Sequence, residues 1–271
     1  MNSIPIFDSL IHPTVNGFWM EKEAGQICGI TTIEKMMESA NIKWAFAVGM
    51  NGVGNYDEKK FLSIVQRSKA NLLPVAFYGY PEISGKKKTK EWVTNLKKAG
   101  FKGVKVHPRI SGLNLGNKDL SEMVKICGTE NLPVLLCTYF YSPCENCSGN
   151  NIDSLIKFLI NSGDTKMILL HAGTVRLLEM LEVARAFKNV LLDLSFTLNK
   201  YKGSSLDKDI SFAFRNFDRR ICIGSDYPEF TPADTRKRFE EFSKGLPKEK
   251  KENIAYKNIF KFLELTPDEI K

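Results

Sequence analysis

Eight short apolar runs constrain this chain more than any other feature, and most of them recur at roughly the 30-residue period of a βαβ unit. They lie near residues 4–8, 43–49, 72–79, 102–107, 133–139, 167–172, 190–195 and 221–225. Each is rich in aliphatic or β-branched residues and bounded by turn formers, which predicts strands. Several stretches between them carry helical periodicity: Thr32-Ile-Glu-Lys-Met-Met-Glu-Ser, Trp92-Val-Thr-Asn-Leu-Lys-Lys-Ala and Leu177-Leu-Glu-Met-Leu-Glu-Val-Ala. Runs such as Pro133-Val-Leu-Leu and Val190-Leu-Leu are apolar without alternation, as expected of parallel strands covered on both faces. Eight such units in 271 residues predict an α/β chain folded as a single (β/α)8 barrel, the TIM-barrel architecture, over residues 1–271. A doubly wound open sheet is the competing architecture. The segment Asn51-Gly-Val-Gly-Asn lacks the third glycine and helix start of its dinucleotide-binding loop.

A hydrophobic content of 43% suits one large core, and no Pro-, Ser- or Gly-rich tract divides the chain. The first residues lack a basic stretch followed by an apolar one, and no apolar run approaches the roughly 20 residues that span a bilayer. The expected setting is soluble and cytoplasmic, away from membranes. The six cysteines, Cys28, Cys127, Cys137, Cys144, Cys147 and Cys222, are scattered, which suits a reducing compartment rather than a disulfide framework. The formal charge of +8 comes from dispersed lysines whose densest run is Lys86-Lys-Lys-Thr-Lys90. Such a pattern reads as a solvated surface, with no nucleic-acid partner, and its field would steer a small anionic substrate inward. A homodimer is the expected assembly, as the commonest symmetric form.

In a barrel of this type the active site lies at the C-terminal ends of the strands. His12, His107 and His171 all stand at such ends, and so does Asp226, after Ile221-Cys-Ile-Gly-Ser. Histidines and a carboxylate gathered there are what a metal-assisted or acid/base enzyme needs. Lys105 shares strand parity with His107, so the two face the barrel interior together or not at all. Arg109 follows two residues later, placed to grip a carboxylate in bidentate fashion. Trp19, Tyr139 and Tyr141 are candidates for an apolar pocket wall, and Tyr227 and Pro228 for shaping the loop after Asp226.

These motifs resemble the amidohydrolase-related (amidohydrolase 2) family of metal-dependent hydrolases, along nearly the whole chain. The resemblance is carried by Phe7-Asp-Ser-Leu-Ile-His-Pro13, Gly103-Val-Lys-Val-His-Pro-Arg109 with Gly112 and Leu115, and Leu132-Pro-Val-Leu-Leu136. It continues through Ile168-Leu-Leu-His-Ala-Gly173, Ile221-Cys-Ile-Gly-Ser-Asp-Tyr-Pro228 and the terminal segment Ile254-Ala-Tyr-Lys-Asn-Ile-Phe-Lys-Phe-Leu-Glu-Leu265. It implies a (β/α)8 barrel independently of the strand count. It also implies metal ligation by a first-strand His-x-His and a fifth-strand histidine, with the eighth-strand aspartate as ligand or general base. His12 and Asp226 match that pattern, and His171 matches the sixth-strand histidine that polarises substrate or positions water. Leu10 stands where the first ligand histidine is expected, and Cys137 where the fifth-strand one is.

Three ligands and an open position make a catalytic zinc site, and His12, Cys137 as thiolate and Asp226 could supply them. Cys137 also reads as a small buried residue filling the place of a lost histidine, since free cysteine is commonly buried. A metal-free route is open as well, with Asp226 as general base, a histidine holding the oxyanion, and Lys105, His107 and Arg109 nearby to keep Asp226 ionised. Cys144 and Cys147 form a Cys-x-x-Cys pair in the loop after strand five, a candidate source of substitute ligands or a local disulfide. The functional expectation is a hydrolase of a lactone, ester or amide of a small anionic metabolite. In it Asp226 and His171 are catalytic, and Arg109, Lys105 and His107 bind the substrate. The alternatives are a non-oxidative decarboxylase of the same fold and a barrel that has lost catalysis and kept a binding role.

Overall fold

The computed structural model describes residues 3–20, 25–141 and 148–269. Cys144 and Cys147 lie outside the described residues. Eight parallel strands follow one another in chain order: β1 (Ile6–Ile11), β2 (Ile42–Val48), β3 (Asn71–Phe77), β4 (Gly103–Val106), β5 (Val134–Cys137), β6 (Met167–Leu170), β7 (Val190–Asp193) and β8 (Ile221–Cys222). Each pairs with the next in parallel register. The ring closes between last and first through Ser9 N to Ile223 O (3.0 Å), Asp226 N to Leu10 O (2.9 Å) and His12 N to Tyr227 O (3.0 Å). This is the expected (β/α)8 barrel, and the open-sheet alternative is ruled out by the closure.

Alternation along the strands sorts the side chains. Ala45, Ala47, Val104, Val106, Val134, Leu136, Leu169 and Leu192 face outward into a core shared with the helices. Phe46, Val48, Leu73, Val75, Leu135, Ile168 and Leu191 face inward and fill the barrel. The opposite end from the site is stoppered by the helix Asn258–Leu263, whose Phe260 meets Phe7 and Trp44 edge to face at 5.6 and 5.0 Å. Three of the helices foreseen from periodicity appear as Ile30–Ser39, Lys86–Ala99 and Leu177–Ala186.

The first strand runs further than residues 4–8, reaching Ile11. Its polar pair Asp8 and Ser9 is fully buried. Asp8 Oδ1 accepts from Leu10 N at 3.1 Å and Ser225 N at 2.8 Å, and Ser9 Oγ donates to Asp193, so polar groups inside the strand find partners across the seam. The register of β1 on β2 shifts between Asp8 and Ile11, which lets both Phe7 and Leu10 point inward.

Candidate active site

Each site residue is delivered by a strand that ends for a readable reason. β4 stops because Pro108 opens a short helix, Pro108–Ser111, and the ring of His107 caps it, Nδ1 accepting from Ile110 N at 3.3 Å. The remaining ring nitrogen of His107 therefore carries the proton, and it donates to the Cys137 sulfur. β6 stops at Leu170 because the next four residues are left-handed, with φ of 66° at His171, 42° at Ala172, 66° at Gly173 and 55° at Thr174. The turn is pinned by Gly173 N to Thr138 Oγ1 (2.9 Å), Thr138 Oγ1 to Leu170 O (2.6 Å) and Thr197 Oγ1 to His171 O (2.6 Å). Asp226 is also left-handed, φ 57°, fixed by its own N–H on Leu10 O and by Glu229 N on its carbonyl at 2.9 Å each.

These turns bring His12, His107, His171, Lys105, Arg109 and Asp226 to one pocket of about 400 Å³, large enough for a small metabolite. The Asp226 carboxylate lies between two imidazoles, Oδ1 at 3.5 Å from His12 Nε2 and Oδ2 at 3.9 Å from His171 Nδ1. His12 Nδ1–H donates to Val48 O at 2.9 Å, and because a carbonyl only accepts, that bond fixes the ring's orientation. His171 Nδ1–H donates to Ser195 O at 3.2 Å. The wall above is aromatic: Trp19 packs against His12, Phe196 against His171, and the Arg109 guanidinium lies 4.6 Å over the Tyr139 ring. Tyr141 is more exposed and accepts from Arg176 Nε at 3.0 Å. Tyr227 does shape its loop, its hydroxyl donating to Ile27 O at 2.8 Å.

The electrostatics follow from these contacts. Burial alone would raise the Asp226 carboxyl, but His171, then His12 and Lys105, outweigh it and hold the group below the usual carboxylate value. The chief support is therefore the two imidazoles rather than the expected trio Lys105, His107 and Arg109. Burial opposes charge on His171, yet Asp226 and Cys137 raise it to about 9. Burial lowers His107 and keeps it neutral, and it also pushes the Lys105 ammonium down. The Cys137 thiol resists ionisation by its burial but is drawn well below its ordinary value by His107 and His171, both hydrogen bonded to it.

One buried network had no place in the expectation. Asp193, fully buried at the end of β7, accepts from Ser9 Oγ and Ser195 Oγ and from Ser195 N at 3.0 Å, and Ser195 Oγ lies 3.2 Å from His171 Nδ1. The logic that singled out Asp226, a carboxylate closing an apolar run, applies equally to Leu191-Leu-Asp193. Phe196, Lys200 and Glu229 also line the pocket; Phe196 and Lys200 flank and end the short helix Thr197–Lys200, and Glu229 follows Asp226, where the sequence carries no strand-end signal.

The model of the family described as Amidohydrolase (Amidohydro_2) matches residues 63–265. The chain belongs to the amidohydrolase family. Solved structures similar to this amidohydrolase include an uncharacterised TIM-barrel protein, Bb4693 from Bordetella bronchiseptica, with 16% identity, 96% of this chain and 98% of that one covered, and a TM-score of 0.79. They also include a dihydroorotase from Campylobacter jejuni, with 14% identity, coverage of 97% and 84%, and a TM-score of 0.68. A third is the 5-carboxyvanillate decarboxylase LigW from Sphingomonas paucimobilis, with 11% identity, coverage of 97% and 100%, and a TM-score of 0.64. Identities this low speak for the barrel fold alone. No curated protein matches the amidohydrolase chain. No helix among its described residues is long and apolar enough to cross a membrane.

The amidohydrolase family is typically metal-dependent, which makes the donor set the question. His12 and Asp226 are together. Leu10 offers only carbon and is packed in the barrel interior, and Cys137 is engaged by His107 and His171. Among the described residues no three His, Cys, Asp or Glu side chains are grouped so as to hold one metal ion. As arranged, His12, Cys137 and Asp226 do not make the ordinary three-ligand zinc shell.

Proposed function

We propose that this amidohydrolase hydrolyses an activated carbonyl, a lactone or ester, of a small anionic metabolite, with water activated by its own side chains. The observation that carries the reading is the Asp226 carboxylate at the pocket base, held ionised between His12 and His171. Asp226 takes a proton from water, the hydroxide adds to the carbonyl carbon, and the His171 imidazolium stabilises the oxyanion and then protonates the leaving oxygen. A carboxylate held this firmly ionised is a weak base, so the route favours a lactone or ester over an unactivated amide. The substrate's own carboxylate is held by Arg109, whose guanidinium is braced on Tyr139, with Lys105 and His107 beneath it.

Two measurements bear on this. Turnover across a panel of lactones and esters is expected to persist unchanged, within about twofold, after dialysis against a zinc chelator, because the nucleophile is generated by Asp226. Loss of activity that added zinc restores would overturn the metal-free route. Arg109→Lys is expected to raise KM roughly tenfold with little change in kcat, since an ammonium loses the bidentate grip while leaving the reacting atoms alone. A fall in kcat at constant KM would instead place Arg109 at the chemistry.

A further inference from the structure

We propose that Lys105 is an imine-forming lysine, its amine capturing the carbonyl of a small oxo acid whose carboxylate is held by Arg109. Lys105 is 1% exposed, yet its side chain lines the floor of the pocket beside His171 and Asp226. Among the described residues its amine makes no hydrogen bond and no ion pair. The anions around it are already committed: Cys137 to His107 and His171, Asp226 to His12 and His171, and Asp193 to Ser9 and Ser195. Arg109 adds a like charge. A buried amine with no ion-pair partner, on a pocket that also presents Arg109 to a substrate carboxylate, is placed to add to a carbonyl bound there. Burial lowers its pKa, against the pull of Cys137, Asp226 and Asp193.

The role goes beyond ester hydrolysis, which asks Lys105 only for charge. The neutral amine adds to the carbonyl carbon, and the carbinolamine hydroxyl takes a proton from His171 and leaves as water, giving a protonated imine. Where the acid is a β-oxo acid, the bond to the carboxylate breaks and its electron pair moves into the imine, forming an enamine as CO₂ departs. Reprotonation at carbon and attack of water on the imine release the ketone and the free lysine. The sum is oxo-acid anion plus proton giving ketone plus CO₂, with no oxidant or reductant. The iminium is the electron sink that decarboxylation requires.

The test is reductive trapping on the full chain with acetoacetate as probe. Protein incubated with acetoacetate is treated with sodium borohydride, and the lysines are mapped by peptide mass. An isopropyl adduct is expected on Lys105, on the order of tenfold or more above that on Lys86, since only the pocket lysine shares its site with Arg109, which holds the probe's carboxylate in place. Lys86 is a suitable internal reference because its side chain is 79% exposed. Lys105→Met should abolish the adduct and leave the surface background. Labelling of Lys105 no greater than that of Lys86 would overturn the proposal, and this comparison within wild-type molecules stands even if the variant fails to fold. An adduct that retains the carboxylate would uphold the imine and overturn the decarboxylation. Trapping reads no hydrolysis, so its failure is distinct from failure of the Asp226 reading.

Discussion

Replacing Asp226 by asparagine is expected to lower kcat for lactone or ester hydrolysis by roughly 10²- to 10⁴-fold, the span a positioned general base supplies. The amide keeps the size of the side chain and can still bond His12, so KM should move only a few-fold. It cannot take a proton from water. The same change removes the largest influence that raises His171, so whatever activity survives should lose its imidazolium at lower pH than the wild type. Steady-state kinetics over a pH series read both effects. A kcat within tenfold of wild type would remove Asp226 from the base role and return the question to Lys105.

His171→Gln is expected to cost on the order of 10²- to 10³-fold in kcat, comparable to losing an oxyanion-stabilising donor. The pH dependence gives the sharper signature. Burial disfavours charge on His171, but Asp226 and Cys137 raise its pKa to about 9, so the imidazolium is present through neutrality and lost as pH rises through about 9. Wild-type kcat should fall on that limb, whereas the glutamine variant, with no proton to lose there, should be flat across it. The sign for stability is the same. A histidine whose folded pKa is raised contributes fully below the ordinary histidine value, and the contribution disappears as pH rises through the folded one. Denaturation midpoints should therefore decline between neutrality and about pH 9 more steeply in the wild type than in the variant. An alkaline limb retained in His171→Gln would assign that titration to another group.

The barrel was legible because its evidence is repeated eight times: a bound misplaced at one strand, as at the end of β1, leaves the period intact. The site was legible where one residue type closes an apolar run, which is how His12, His107, His171 and Asp226 announced themselves. What stayed hidden depends on contacts between distant segments. Nothing local marks Ser9 and Ser195 as partners of one carboxylate, since they are separated by most of the chain. Cys137 was open to two readings because spacing does not say which way a thiol is held, and its tie to His107 and His171 exists only after three strands converge. Parity ties Lys105 to His107 without saying which face the pair takes; that both line the pocket, and that the anions around Lys105 bond other groups, are properties of the assembled barrel. The Cys144 and Cys147 pair falls outside the described residues.

The left-handed backbone at His171 and Asp226 bears on the third alternative, a barrel that has ceased to catalyse. Neither residue adopts such φ values freely, and each position is held at a cost of about 1 kcal/mol or more. Ala172 and Thr174 share the positive φ of His171, so the cost is that of the whole turn that directs the His171 ring into the pocket. Glycine at His171 or Asp226 would trade the side chain for a less strained backbone.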